Sequence, residues 1–326
     1  MNIKKISIAI CICLILAIIT FLNFDKKNSL PLVAIANYGP HTSLFESIAG
    51  IKSELTKQGF IENQTVRFEI VDVGFDQSLI PQMITKLKSA NPHVMVVMGT
   101  PIAQFAKNAI KDISLVYNVV TDPVNAGLIQ QAHTPDANMT GSSDKQDLNV
   151  LLEFAQKLLP HAKRVGLLYA TSDSNDLALV QMMQVATNKK GMTLLAIPVA
   201  NVKEVPIAMQ RFKDKVDFLY VGVSGPIQPS LPTIASESHK MRIPLFNVEE
   251  SGVKEGLVLA SFGVSYKQVG VNAGKQIAAL LKGSELRTLS PLYPSLQDHH
   301  ALINMKVAKT YGVVIPENLT SVETVE

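Results

Sequence analysis

The stretch ANPHVMVVMGTPIAQFAKNAIKDISLVYNVVTDPVNAGLI, residues 90–129, decides the fold. It holds two runs, HVMVVMG (93–99) and SLVYNVV (114–120), each of strand length and apolar almost throughout. A strand with one solvated face alternates polar and apolar side chains; a strand apolar at every position is covered on both faces. Between the runs lies PIAQFAKNAI (101–110), a short helix. Two parallel strands need a crossover of this kind, so the stretch reads as a β-α-β unit of a buried parallel sheet. Each run ends in a small polar residue before a proline, Thr100-Pro101 and Thr121-Asp122-Pro123.

The same alternation extends in both directions. Upstream come the strand PLVAIA, the helix SLFESIAGIKSELTKQGF with Leu44, Ile48, Ile51 and Leu55 on one face and Gly59 as its stop, the strand TVRFEIVDV and the helix SLIPQMITKLKSA. Downstream, RVGLLYA, MTLLAIPV, VDFLYVGV, IPLFNV and GLVLASFGV read as strands, separated by the helical stretches NDLALVQMMQVATNKKG, VPIAMQRFK and SLPTIASESHKM and followed by the helix YKQVGVNAGKQIAALLKG. Two doubly wound α/β lobes of comparable size account for the pattern. The turn-rich segment TPDANMTGSSDKQD (134–147) is the expected hinge between them.

Composition narrows the function. The chain has 326 residues, 47% hydrophobic and 17% charged, with a formal charge of only +3, and no basic footprint for nucleic acid. Its first segment, MNIKKISIAICICLILAIITFLNFDKK (1–27), sets two lysines before an apolar run. It is expected to be an export signal or an uncleaved signal anchor that places the rest outside the cytoplasm and ties the chain to the membrane. Both cysteines lie inside it, so the remainder can form neither a disulfide nor a thiolate site. Phosphate-binding glycine motifs are missing: GVNAGKQ (270–276) is one residue short of a P-loop and lacks the Ser or Thr after its lysine. GVSGP around Ser224 breaks the nucleophile-elbow pattern at its last position, and the seven histidines form no metal-binding spacing. The chain is expected to bind rather than to catalyse, without metal or cofactor.

In open parallel sheets, ligands sit beyond the carboxyl ends of the strands, where helix N-termini point free N–H groups at the same place. Thr100 and Thr121-Asp122 occupy such ends, as do the stretches TSDSNDLA (171–178), GVSGPIQ (222–228) and NVEESGV (247–253). Thr100 can also serve simply as a helix cap.

The ordered set GTPIAQFAKNAIKDISLVYNVVTDPVNAGLI, NMTGSSD, LLPHAKRVGLLYATSDSND and IPLFNVEESGVKEGLVLASFGVSYKQVGVNAGKQIAALLKG resembles the ABC-transporter substrate-binding proteins of the tryptophan/tyrosine-binding type, over roughly residues 32–320. The resemblance implies a type I periplasmic-binding-protein fold: two lobes joined by three crossovers, one lobe from residues 31–144 and 252–284, the other from 145–247 and 288–326. It implies a small-molecule ligand, an aromatic or other amino acid, and delivery to an ABC permease and its ATPase. A membrane-tethered sensor on the same fold, signalling through a partner protein, is the alternative. Carried over by position, Thr100, Thr121, Asp122, Ser143 and Asp144 would reach the ligand from the first lobe, Ser174, Asn175 and Ser224 from the second, and Glu249 near the second crossover. The chain departs from the family pattern twice: Asn175-Asp176 replaces Asn-Ser, and Ser224-Gly225 replaces Asp-Asn. The second departure removes an acidic partner for a ligand ammonium, a role open to Asp176 or Glu249.

Overall fold

The computed structural model describes residues 30–317, 319 and 322–326; the 1–27 segment lies outside them. Among the described residues no helix is long and apolar enough to cross a membrane. In the first lobe, strands β1 (Leu32–Asn37), β2 (Arg67–Asp72), β3 (Val94–Met98), β4 (Ser114–Asn118) and β5 (Met139–Ser142) pair in parallel in the order β2-β1-β3-β4-β5. Helices α1 (Thr42–Lys57), α2 (Ile80–Ser89) and α3 (Thr100–Ala109) connect the first four strands. The two runs that opened the reading, β3 and β4, are buried at nearly every position in the middle of this sheet.

β5 is the strand that sequence alone hides. It falls inside the expected hinge segment, and its residues, Met-Thr-Gly-Ser, carry almost no apolar signal. Packing places it there: a Cβ on Gly141 would stand 2.2 Å from the Tyr117 carbonyl oxygen, so only glycine lets β5 close against β4.

The second sheet has the order β12-β11-β10-β9-β8-β6-β7. It starts after α4 (Leu148–Leu158) with β6 (Arg164–Ala170), α5 (Ser174–Lys189), β7 (Thr193–Val199), α6 (Val205–Gln210), β8 (Phe218–Val221), α7 (Leu231–Lys240), β9 (Leu245–Asn247) and α8 (Glu250–Lys254). β10 (Ala260–Val264) follows in parallel beside β9. After α9 (Tyr266–Leu281) the chain returns to it with β11 (His299–Asn304), α10 (Met305–Tyr311) and β12 (Val322–Val325). β10 and β11 pair antiparallel, a departure from the all-parallel expectation.

The lobe boundary also needs a correction. Residues 252–284 were expected in the first lobe, but β10 hydrogen-bonds to β9 and β11 and Phe262 joins the second core. The chain crosses only at Ser265, whose side chain caps α9 by accepting from the Gln268 N–H. Beyond it, Tyr266, Val269, Ala273 and Ile277 bury against the first core. Three crossing segments thus run side by side. Ser143 N–H donates to the Leu292 carbonyl at 2.8 Å, Ser265 N–H to the Asp298 carbonyl at 3.2 Å, and Asp147 N–H to His299 Nε2 at 3.2 Å.

α9 is held to the first lobe by glycines. Cβ atoms on Gly50 and Gly270 would stand 2.1 Å from the Lys267 oxygen and 1.9 Å from the Ser47 oxygen. Those are backbone atoms, so the helices would have to separate. Gly270→Ala is therefore expected to lower the unfolding free energy by about 1–3 kcal/mol despite alanine's better helix propensity. Urea denaturation measures it, and an unchanged or raised stability would show that α1 and α9 can part freely.

Candidate functional site

Between the lobes lies a cavity, at the carboxyl ends of strands from both sheets. From the first lobe come Tyr38 and His41 after β1, Phe75 after β2, and Thr100 and Pro101 after β3. From the second come Asp173 and Asn175 after β6, Ser224, Gly225 and Gln228 after β8, and Glu249 after β9.

Local backbone geometry aims these groups. Gly99, at φ 90°, turns the chain from β3 into α3, and Pro101 fits the first turn. The Thr100 hydroxyl makes no cap; it crosses the cleft and donates to Asn175 Oδ1 at 3.2 Å. Phe75 has φ 65°, a left-handed conformation that strains a bulky residue. It is held there by its N–H on the Tyr38 carbonyl at 2.8 Å and by an edge-to-face contact with the Tyr38 ring, centroids 5.4 Å apart. Two glycines admit the ring: a Cβ on Gly39 would meet it at 2.3 Å and one on Gly225 at 2.9 Å. Gly225, one of the two departures noted in the sequence, thus abuts the aromatic pair from the opposite lobe.

The polar character of the wall is divided between the lobes. α1 and α3 start at the cavity, and neither has a side-chain cap, so first-turn N–H groups are left for other acceptors. The second lobe presents acids. Asp173 caps α5 by accepting from the Asn175 N–H at 2.9 Å, and burial pushes its carboxyl up to about 6. Behind it, Asp176 Oδ2 accepts from the Ala170 N–H at 2.6 Å and the Ser224 hydroxyl at 2.8 Å. Burial, and then Asp173 beside it, hold the Asp176 carboxyl well above the usual range. Glu249, also buried, faces His41 Nδ1 across the cleft at 3.1 Å. Among the described residues no lysine or arginine lines this cavity.

Further hydrogen bonds span the cleft. Ser174 Oγ donates to Gln104 Oε1 at 2.9 Å, Gln77 Nε2 to the Ser172 carbonyl at 3.1 Å, and Asn125 Nδ2 to Gln181 Oε1 at 3.2 Å. The lobes therefore stand closed upon each other.

Of the nine residues expected to reach a ligand, Thr100, Asn175, Ser224 and Glu249 line the cavity. Ser174 and Asp122 border a second recess beside it, which Thr100 and Asn175 also line. Thr121, Ser143 and Asp144 gather at the first crossover instead, outside the wall. Thr121 Oγ1 donates to Asp144 Oδ1 at 3.1 Å and Ser143 Oγ to the Thr121 carbonyl at 3.1 Å, while burial raises the Asp144 carboxyl to about 6. Asp122 is taken up locally, by the Asn125 N–H on one oxygen and Lys145 Nζ on the other, each at 3.0 Å. Sequence reasoning missed Tyr38, His41, Phe75, Asp173 and Gln228. The strand-end rule, applied to β1 and β2 as it was to later strands, finds the first three; Asp173 lies within a stretch already selected.

A family model described as ABC transporter substrate binding protein matches residues 32–325. A tyrosine-binding protein of Clostridioides difficile (strain R20291) is 28% identical over 254 residues, 78% of this chain and 73% of that protein. The L-Trp complex of an ABC domain from Streptococcus pneumoniae superposes with a TM-score of 0.85 at 27% identity, covering 91% of this chain and all of that one. The ligand-free, open structure of a substrate-binding protein with adhesive properties from Clostridium difficile gives 0.70 at 26% identity, covering 91% and 99%. The better fit to the ligand-bound relative agrees with the bonds that span the cleft here. The chain belongs to the ABC transporter substrate-binding protein family, on a type I periplasmic-binding-protein-like fold. This is a family of extracytoplasmic solute-binding proteins, not of enzymes.

The geometry separates two roles for Asp122. With its carboxylate engaged by Asn125 and Lys145, Asp122→Ala is expected to cost about 1 kcal/mol of stability through the lost cap and to change ligand affinity less than about threefold. Thermal unfolding and calorimetry on the same variant check both; a large loss of affinity in a protein of unchanged stability would return Asp122 to the ligand site.

Proposed function

We propose that this chain captures an aromatic amino acid between its lobes and delivers it to the permease and ATPase of an ABC transporter, held at the outer face of the cytoplasmic membrane by its 1–27 segment. The observation that carries the reading is the division of the cavity wall: uncapped helix N-termini on the first lobe, buried carboxylates on the second, and the Tyr38–Phe75 pair beside them. An amino-acid zwitterion has the complementary layout. Its carboxylate takes the N–H groups at the starts of α1 and α3. Its ammonium takes Asp173 and Glu249. Its ring packs against Tyr38 and Phe75, where offset or edge contacts add about 0.5–1.5 kcal/mol beyond area burial. The ligands named for the tyrosine-binding relative and the L-Trp complex support the aromatic class.

Closure then does the remaining work. Each cross-cleft bond made as the lobes meet helps exclude water, and in the drier site each ion–dipole contact strengthens. A bound ligand that touches both walls favours the closed state by its differential contacts with it. No bond is broken, so release requires only reopening.

Isothermal titration calorimetry with L-tyrosine, L-tryptophan, L-phenylalanine and L-leucine tests the reading. At least one aromatic amino acid should bind about tenfold or more tighter than leucine, a difference of about 1.4 kcal/mol. Equal affinity for leucine would overturn the aromatic class, and heat with none of the four would overturn the amino-acid reading itself.

A further inference from the structure

We infer that Asp176, a residue outside the cavity wall, is a positioning residue that makes Ser224 a hydrogen-bond acceptor for the ligand's ammonium group; this rests on the amino-acid reading above. Ser224 lines the cavity and is 4% exposed. A hydroxyl has one proton and two lone pairs. The Ser224 proton is committed to Asp176 Oδ2 at 2.8 Å, and one lone pair takes the Ile227 N–H at 3.2 Å. The second lone pair is left for a donor from the cavity. Asp176 also gains charge when a cation comes near. It is 1% exposed, and its Oδ1 has no hydrogen-bond partner among the described residues. A buried carboxylate in that condition favours a nearby cation, and Asp173, which does line the cavity, lies in the same field. A ligand ammonium between Asp173 and Ser224 would relieve both acids.

The resemblance drawn from the sequence also implies that positions 176 and 224 depart from the family pattern, with acid in place of serine at one and serine in place of acid at the other. The hydrogen bond joins these two positions, so the departures compensate. In this chain the carboxyl stands on the far side of that contact and acts on the cavity through Ser224.

A purely structural role has its own signature. Asp176 sits in the first turn of α5 and ties down the end of β6 through Ala170, so its loss can lower stability without touching selectivity. The test measures binding of L-tryptophan, L-tyrosine and 3-(indol-3-yl)propionate, which lacks the ammonium, by wild type, Asp176→Ala, Asp176→Asn and the exchange Asp176→Ser/Ser224→Asp. Asp176→Ala should weaken L-tryptophan about tenfold or more and leave the propionate unchanged or tighter. Asp176→Asn, which keeps the shape and the acceptor for Ser224, should show a smaller loss of the same sign. The exchange should bring L-tryptophan back to within about threefold of wild type. Should Asp176→Ala fail to fold, the asparagine variant and the exchange carry the comparison. Variants with lowered melting temperature but an unchanged tryptophan-to-propionate ratio would overturn the inference alone. Wild type that binds neither amino acid would overturn the amino-acid reading, and the inference with it.

Discussion

A carboxylate taken out of water has to meet a donor or a cation, and the second lobe of this protein places three of them, Asp173, Asp176 and Glu249, in or just behind one wall of a closing cleft. Their local donors are few: one backbone N–H for Asp173, a backbone N–H and a hydroxyl for Asp176, and none for Glu249 Oε1, which stands 3.1 Å from His41 Nδ1. No lysine or arginine lines the cavity among the described residues. Much of the rest of the molecule can be understood as the framework that makes this arrangement tolerable. Parallel strands bring helix starts to one end of each sheet, and the crossovers let the two ends face each other. The first lobe offers uncapped N–H groups opposite the acids, so a zwitterion completes a pattern that neither lobe completes alone.

The crossovers give this arrangement its freedom. The three segments are bonded to one another, Ser143 to Leu292, Ser265 to Asp298 and Asp147 to His299, which makes them a connected band rather than three loose links. Asp144 lies buried within that band, held by the Thr121 hydroxyl on one oxygen only. Away from the band, the cleft is spanned by hydrogen bonds between neutral side chains, Thr100 to Asn175, Ser174 to Gln104 and Asn125 to Gln181. Each such bond is worth about 1 kcal/mol net, strong enough to order the closed state and weak enough to be broken for release.

The apolar strands and amphipathic helices were legible because burial on two faces, or on one helical stripe, writes itself into residue type. β5 was not, because a four-residue edge strand of small polar residues carries no such mark. Nor was the lobe of β10: its sequence is equally fit for either core, and only its pairing with β9 and β11 decides. The site was legible to the level of strand ends. Asp122 and Asp173 both follow a strand, and nothing in composition tells them apart. Turn geometry does: the chain after Asp122 folds back so that Asn125 and Lys145 claim its carboxylate, whereas Asp173 caps a helix that starts at the cleft. Phe75 depended on a left-handed backbone and on glycines 39 and 225 from opposite lobes, a combination that no single stretch announces.

The most direct test of the account is the crystal structure of the protein grown with L-tryptophan or L-tyrosine. The account predicts the ligand ammonium within about 3 Å of the Asp173 carboxylate and Ser224 Oγ, the ligand carboxylate at the first turns of α1 and α3, and the ring against Tyr38 and Phe75. A ligand bound in the reverse orientation, or in another pocket with Asp173 and Ser224 untouched, would contradict it.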